Sequence, residues 1–155
     1  MNFSENHIVK QVQELLDKAH SVRVSNLKQS LVLANEALEL SKKNGDESLV
    51  AKSLSRLSFY YMISSEYEKS ISLATEAACI FESLNDEQGS AEATYNIASV
   101  YYKSDDLHMG LKYLLDCLTV FRKYNDYASQ AKAYKSLGTI YEYFGDIDHA
   151  IEAYN

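Results

Sequence analysis

His149 and Glu152 stand three residues apart in a stretch of helical periodicity, which puts an imidazole and a carboxylate on one helix face where they could share a metal ion. Two ligands leave the coordination shell open, so the pair by itself defines no metal centre. His108 follows Ser104, Asp105 and Asp106 at the start of a helical segment, where a solvated or capping role accounts for it. His7 and His20 fall in the irregular opening segment and carry no recognisable chemistry. Asp105 and Asp106 are best read as ending one helix and beginning the next. The cysteines, Cys79 and Cys117, have no C-x-x-C spacing and fall at interior helical positions, which reads them as small buried hydrophobes. No glycine-rich phosphate loop, nucleophile elbow or H-E-x-x-H motif occurs. General acid–base catalysis needs titratable groups converging in an enclosed pocket, and none of these residues is arranged for that. The reading is a non-enzymatic protein needing no cofactor and no metal.

Composition narrows the partners. The 155-residue chain has a formal net charge of −7 and 46% hydrophobic residues, enough apolar material for a packed core. An acidic chain lacks the basic footprint that displaces counterions from nucleic acid, and the same charge opposes binding to an anionic membrane surface. No apolar stretch is long enough to cross a bilayer, and the opening residues are polar rather than a signal peptide, so a soluble, cytoplasmic protein is expected. Proline is absent and glycine numbers 5, so little interrupts long helices, and the abundance of Tyr, Ser, Lys and Asn points to a bacterial source.

The elements that would position any site follow from an internal repeat. Tyr61, Tyr101 and Tyr141 recur at intervals of 40, as do Leu57-Ser58, Ile97-Ala98 and Leu137-Gly138, and Ser30, Ser70, Gly110 and Ala150. Ala34 and Ala37 likewise repeat as Ala74 and Ala77. A fixed period of this size marks stacked helical hairpins. Within one unit Ala91, Thr94, Ile97, Ala98 and Tyr101 share one helical face, and Leu107, Leu111, Leu114, Cys117, Leu118 and Phe121 share another. Asp46, Asp86 and Asp126 occupy one register between units, suited to cap the following helix. Inside the last unit Gly145 suits a left-handed helix end and Asp146 the next cap, with Ser65 and Asp105 replacing that glycine elsewhere. Small residues at Ser58, Ala98 and Gly138 opposite Ser30, Ser70, Gly110 and Ala150 would let paired helices approach closely, with Tyr61, Tyr101 and Tyr141 filling the space beside them.

Tyr134-x-x-Leu137-Gly138-x-x-Tyr141, followed by Ala150-x-x-x-Tyr154, resembles the tetratricopeptide (TPR) signature, with tyrosine in its aromatic places. The spacing of 40 exceeds the usual 34, and the proline that often ends the second helix is missing. Both follow if the helices are about a turn longer. This longer variety resembles arrays in bacterial signalling proteins, maltose-regulator-type activators, and polarity and motor adaptors. The resemblance implies an all-α fold, a right-handed superhelical solenoid of antiparallel helix pairs, about three and a half units over residues 7–44, 46–84, 86–124 and 126–155 of a single array. It also implies that the first helix of each pair lines a concave groove. Transferred here, the lining is Lys52, Arg56 and Phe59, with Ser55, Met62 and Ile63; Tyr95, Asn96, Ser99 and Tyr102, with Glu92 and Lys103; and Lys132, Lys135 and Thr139, with Ser136, Glu142 and Tyr143. Lys52, Arg56, Lys132 and Lys135 form a basic stripe in an acidic chain, so a peptide or partner domain carrying acidic and apolar residues is the expected ligand. The same lysines also read as a plain solvated helix face. Asn96 and Lys132 match two places of the carboxylate clamp of chaperone-binding TPR domains, whereas Ser55, Phe59 and Ser136 depart from the others, so chaperone tails are not expected.

By the period, the helix beginning near Asp146 should run about nine residues past Asn155, which reads the chain as a cut fragment. Ile147, Ile151 and Tyr154 would then lack a cap, and pairing with a second copy through this end is expected. Two functional readings stay open: a non-catalytic interaction scaffold, and the amino-terminal sensory or dimerising region of a larger bacterial regulator such as a histidine kinase, nucleotide cyclase or transcription factor.

Overall fold

A computed structural model describes residues 3–155, with side chains from His7 onward. Among the described residues there are eight helices and no strand: α1 (Phe3–Val22), α2 (Leu27–Asn44), α3 (Glu47–Ile63), α4 (Tyr67–Ser83), α5 (Glu87–Lys103), α6 (Leu107–Lys123), α7 (Tyr127–Tyr143) and α8 (Ile147–Tyr154). None is long and apolar enough to cross a membrane. Helices α3 to α7 are each 17 residues long, so helix length rather than loop length absorbs the long period.

Each boundary is written in local chemistry. The carboxylates of Asp46, Asp86, Asp106, Asp126 and Asp146 accept from the backbone N–H three residues on, at 2.8–3.2 Å, satisfying donors that a helix start leaves orphaned. Asn26 does the same for α2. Glu66 begins α4 without such a bond, its longer side chain engaging Ser64 and Lys69 instead. These hydrogen bonds hold the Asp126 carboxyl below its ordinary pKa, the Ser129 hydroxyl and N–H contributing most. The cap therefore stabilises the fold above the ordinary carboxylate range and loses that contribution as the pH falls through the depressed value. The chain reverses through left-handed residues at Gly45, Ser65, Asn85, Asp105, Asn125 and Gly145, with φ between 55° and 72°. Asn, Asp and Gly tolerate this conformation better than other residues, and the cost at Ser65 is the largest of the set.

The small residues mark the helix crossings as expected. The Ser70 hydroxyl donates to the carbonyl of Ser58 at 2.7 Å, and the Ser30 hydroxyl to that of Ala19 at 2.6 Å. Approach this close needs no more than a serine between the backbones. The tyrosines beside the crossings are half-buried and meet the second helix of their own pair: Tyr101 stacks on Tyr113, Tyr141 on His149, and Lys69 lies over Tyr61. Cys117 is buried, which pushes its thiol up to about 12 and keeps it protonated. Cys79 corrects the sequence reading. It is exposed, because on α4 it takes the register of solvent-facing Thr119 rather than that of Cys117.

A tighter junction joins successive pairs. A Cβ at Gly89 would lie 2.4 Å from the ring of Phe81, a side chain only 2% exposed. At Gly138 the obstacle, 2.5 Å away, is the ring of Tyr154, which is 48% exposed and free to swing outward. Alanine relieves a helical glycine of about 0.5–1 kcal/mol of backbone entropy at either place. We expect Gly89→Ala to lose about 1–2 kcal/mol net, because a buried ring cannot yield, and Gly138→Ala to be neutral or slightly stabilising. Chemical denaturation of the two variants side by side checks the contrast, and equal effects would contradict it.

Candidate functional site

Helix α3 packs against α1 and α5, and α5 against α7, whereas the even-numbered helices touch only their neighbours along the chain. The odd helices therefore crowd the inside of a curve and their outward faces form its concave wall. On this wall lies a cavity of about 650 Å³. Arg23, Lys52, Arg56 and Lys132 bring positive charge to it from α3, α7 and the end of α1; Glu92 of α5 opposes them. Phe59 and Tyr95 give it aromatic surface, over a floor that includes Leu16, Phe81 and Phe121. A second cavity of about 340 Å³, among α4, α5 and α6, has an acidic rim of Glu82, Glu87 and Asp116, and Glu87 is already paired with Lys123 at 2.5 Å.

The concave cavity gathers Lys52, Arg56, Phe59, Tyr95, Asn96 and Lys132 of the expected lining, together with Ser55 and Glu92. Asn96 is 7% exposed, and its amide donates to the Ser55 carbonyl at 2.9 Å and hydroxyl at 3.3 Å. Its amide N–H₂ thus ties α5 to α3, so its first role is to hold two walls in register. The cavity does not reach Ser99, Tyr102, Lys135 or Thr139. Ser99 bonds back to the Tyr95 carbonyl, Tyr102 is half-buried against the core, Lys135 is exposed, and the Thr139 hydroxyl lies 3.1 Å from that of Tyr154. Met62 is 5% exposed and belongs to the core rather than the lining.

Gln13, His20 and Arg23 line the same cavity, although the sequence reading gave His20 no role. The cause is a register offset. The Ser30 hydroxyl reaches back 11 residues to Ala19, whereas Ser70 reaches back 12 to Ser58, so the first pair has one residue fewer between its crossing positions. A step of 40 back from Phe59 lands on Ala19, which is fully buried, while the true counterpart is His20. No cap records this offset, because Asn26 keeps the step of 40 to Glu66, Asp106 and Asp146.

His20 lies 3.3 Å from an Arg56 guanidinium nitrogen through its Nδ1, with its ring tilted against Phe59. Arginine can only donate, so Nδ1 accepts and the ring is neutral, with its proton on Nε2. Burial lowers the His20 pKa below its ordinary value, and Arg56, Arg23 and Lys132 push the same way against Asp17. The Glu92 carboxyl moves in the opposite direction: burial raises it, opposed by Arg56 and Lys132. Both shifts describe a cleft that desolvates charge. The other histidines serve locally. His149 Nδ1 faces the Asp146 carboxylate at 2.7 Å at the start of α8, and His108 leaves capping to Asp106 and rests against the Phe144 ring.

A curved stack of helix pairs with a polar and aromatic concave face defines a helical-repeat solenoid. Residues 89–155 match the tetratricopeptide repeat model, and the earlier pairs continue the same geometry, so the chain has a solenoid fold similar to that of tetratricopeptide-repeat arrays. Solved structures agree in fold. Aspartyl phosphate phosphatase F from Bacillus subtilis superposes with a TM-score of 0.82 at 20% identity, over 94% of this chain and 38% of that one. BtubC (BKLC) from P. vanneervenii gives 0.73 at 22% identity, over 92% and 59%. A kinesin light chain protein of Podosopora anserina with nearly identical TPR-like repeats gives 0.70 at 13% identity, over 99% and 73%. The chain thus spans 59% of BtubC and 38% of the phosphatase. No curated protein matches it.

Proposed function

We propose that this chain is a non-catalytic scaffold that binds an acidic, partly apolar peptide or partner segment in its concave groove. The observation that carries this reading is the concentration of Arg23, Lys52, Arg56 and Lys132 around one aromatic-lined cavity in a chain of net charge −7. Cations clustered on one face of an acidic protein act against the overall repulsion and steer an anionic segment to that face. Phe59 and Tyr95 supply surface on which its apolar side chains can be buried. Lys52 and Lys132 flank Glu92 in the same register of successive pairs, so an extended ligand meets alternating charge along the groove. The fold family supports a partner-binding role in general terms, and the ligand class rests on the groove alone.

Reversing Arg56 and Lys132 together to glutamate replaces two attractive charges by two repulsive ones in a desolvating cleft. We expect unchanged helicity and melting, since neither side chain forms an ion pair among the described residues, with at least tenfold weaker binding of a glutamate- and leucine-containing peptide measured by fluorescence anisotropy. Retained affinity would remove the groove from consideration.

A further inference from the structure

We propose that the groove takes up its acidic ligand together with a proton: when a ligand carboxylate settles beside Arg23 and Arg56, His20 becomes protonated, and affinity rises as the medium acidifies. The inference rests on the acidic-ligand reading above and assigns a role to His20 that the repeat pattern does not.

The geometry supplies the coupling. Unprotonated Nδ1 of His20 occupies one donor position of the Arg56 guanidinium at 3.3 Å. A proton on that nitrogen ends the hydrogen bond and sets two cations side by side at the cavity wall. Without a ligand this is unfavourable, because the ring is partly desolvated and Arg23, Arg56 and Lys132 all repel the new charge. A carboxylate entering among these groups reverses the balance. It accepts from the released guanidinium and from the imidazolium, and it screens each cation from the others.

The charges facing His20 come from every odd helix: Asp17 and Arg23 on or after α1, Lys52 and Arg56 on α3, Glu92 on α5 and Lys132 on α7. Asp17 favours the charged ring, but it acts against three cations and does not prevent the downward shift. Glu92 is the other group whose protonation would make the cavity more positive, so it must be separated from His20 by experiment.

The sign follows from linkage. His20 in the free protein has a depressed pKa, and in the complex a raised one, so the ligand-bound state holds more proton between the two values. Affinity therefore increases as pH falls through the bound-state pKa and levels off below the free-state one, by up to about tenfold for each unit of separation. Between pH 8 and about 6 the ligand's own carboxylates, with pKa near 4.3, stay ionised and contribute no slope.

The test uses the full chain and a short glutamate- and leucine-containing peptide, prepared with an amidated and with a free carboxyl terminus. The His20 ring is followed by NMR through a pH titration with and without peptide, while the dissociation constant is measured across the same range. The expected result is an upward shift of the His20 midpoint on binding and tighter binding at lower pH, with the slope abolished in His20→Phe and His20→Gln. Phenylalanine stands at the equivalent place, Phe59, on α3, and circular dichroism of both variants verifies the fold. A shift in both peptide forms assigns the subsite to side-chain carboxylates, and a shift in the free-acid form alone assigns it to a chain terminus. Peptide binding with a flat pH profile, or a slope that survives in His20→Phe and vanishes in Glu92→Gln, overturns the proposal while leaving the groove reading intact. Absence of binding at every pH removes both.

Discussion

Replacing Phe121 by alanine is expected to destabilise the protein by about 3–5 kcal/mol, the cost of deleting a buried aromatic ring and leaving a cavity that rigid neighbours cannot close. Phe121 is 2% exposed and belongs to the core shared by α5, α6 and α7, with Leu118, Ala133 and Leu137. Its carbonyl also accepts from the Gln130 side chain at 3.1 Å and from the Asp126 N–H at 2.9 Å, so the same residue anchors the turn into α7. In a solenoid each pair leans only on its neighbours, and a defect at this junction uncouples α7 and α8 from the rest. Thermal denaturation should show a loss on the order of 10 °C or more for a chain of this size, with the last pair melting first. Because the ring also floors the concave cavity, peptide affinity should fall with stability. A loss below about 1 kcal/mol would mean that the junction repacks freely, against the close packing inferred here.

Gly110→Leu is expected to cost about 1–3 kcal/mol through overpacking at the crossing of α5 and α6. A Cβ at this position would meet the backbone nitrogen of Tyr102 at 3.2 Å, and the carbonyl oxygen of Ala98 at 3.5 Å. Main chain does not rotate away as a tyrosine ring can, so leucine has to separate the two helices. Ala98 is fully buried on the opposing helix, and Ala98→Leu should produce a comparable loss by the same route. Urea denaturation measures both. Stability equal to the parent would show that the crossing lies elsewhere, contradicting the register that places small residues opposite one another.

The two substitutions probe features of different legibility. The crossings could be read from the chain because close approach of two helices restricts residue size at fixed positions, and that restriction repeats as Ser58, Ala98 and Gly138. Caps and turns were equally legible: an aspartate before five of the helix starts, each preceded by a residue tolerant of positive φ, meets a local requirement with local chemistry. The groove was legible in outline, since a period of 40 projects Lys52, Arg56, Tyr95 and Lys132 onto one wall once the first helices are known to line it.

What lay beyond sequence was anything that depended on one residue of spacing between the crossings of a pair or on a neighbouring pair. The first pair has one residue fewer between its crossing positions, which shifts the opening helix by one position, and a shift of one residue turns a helix by about 100°. That rotation carries Ala19 into the core and His20 into the cavity, against Phe59 and Arg56. Asn96 had the right place for a ligand contact, but its amide is taken up by the Ser55 carbonyl of the preceding pair. Gly89 sits against the Phe81 ring of the preceding pair, a contact that spacing along the chain does not record. Periodicity alone determined the repeat, its helices and their crossings, because each is fixed by spacing along one chain segment. Only tertiary packing decided which charges share the cleft and which histidine they surround, because those relations join side chains from separate helices whose relative rotation the spacing does not record.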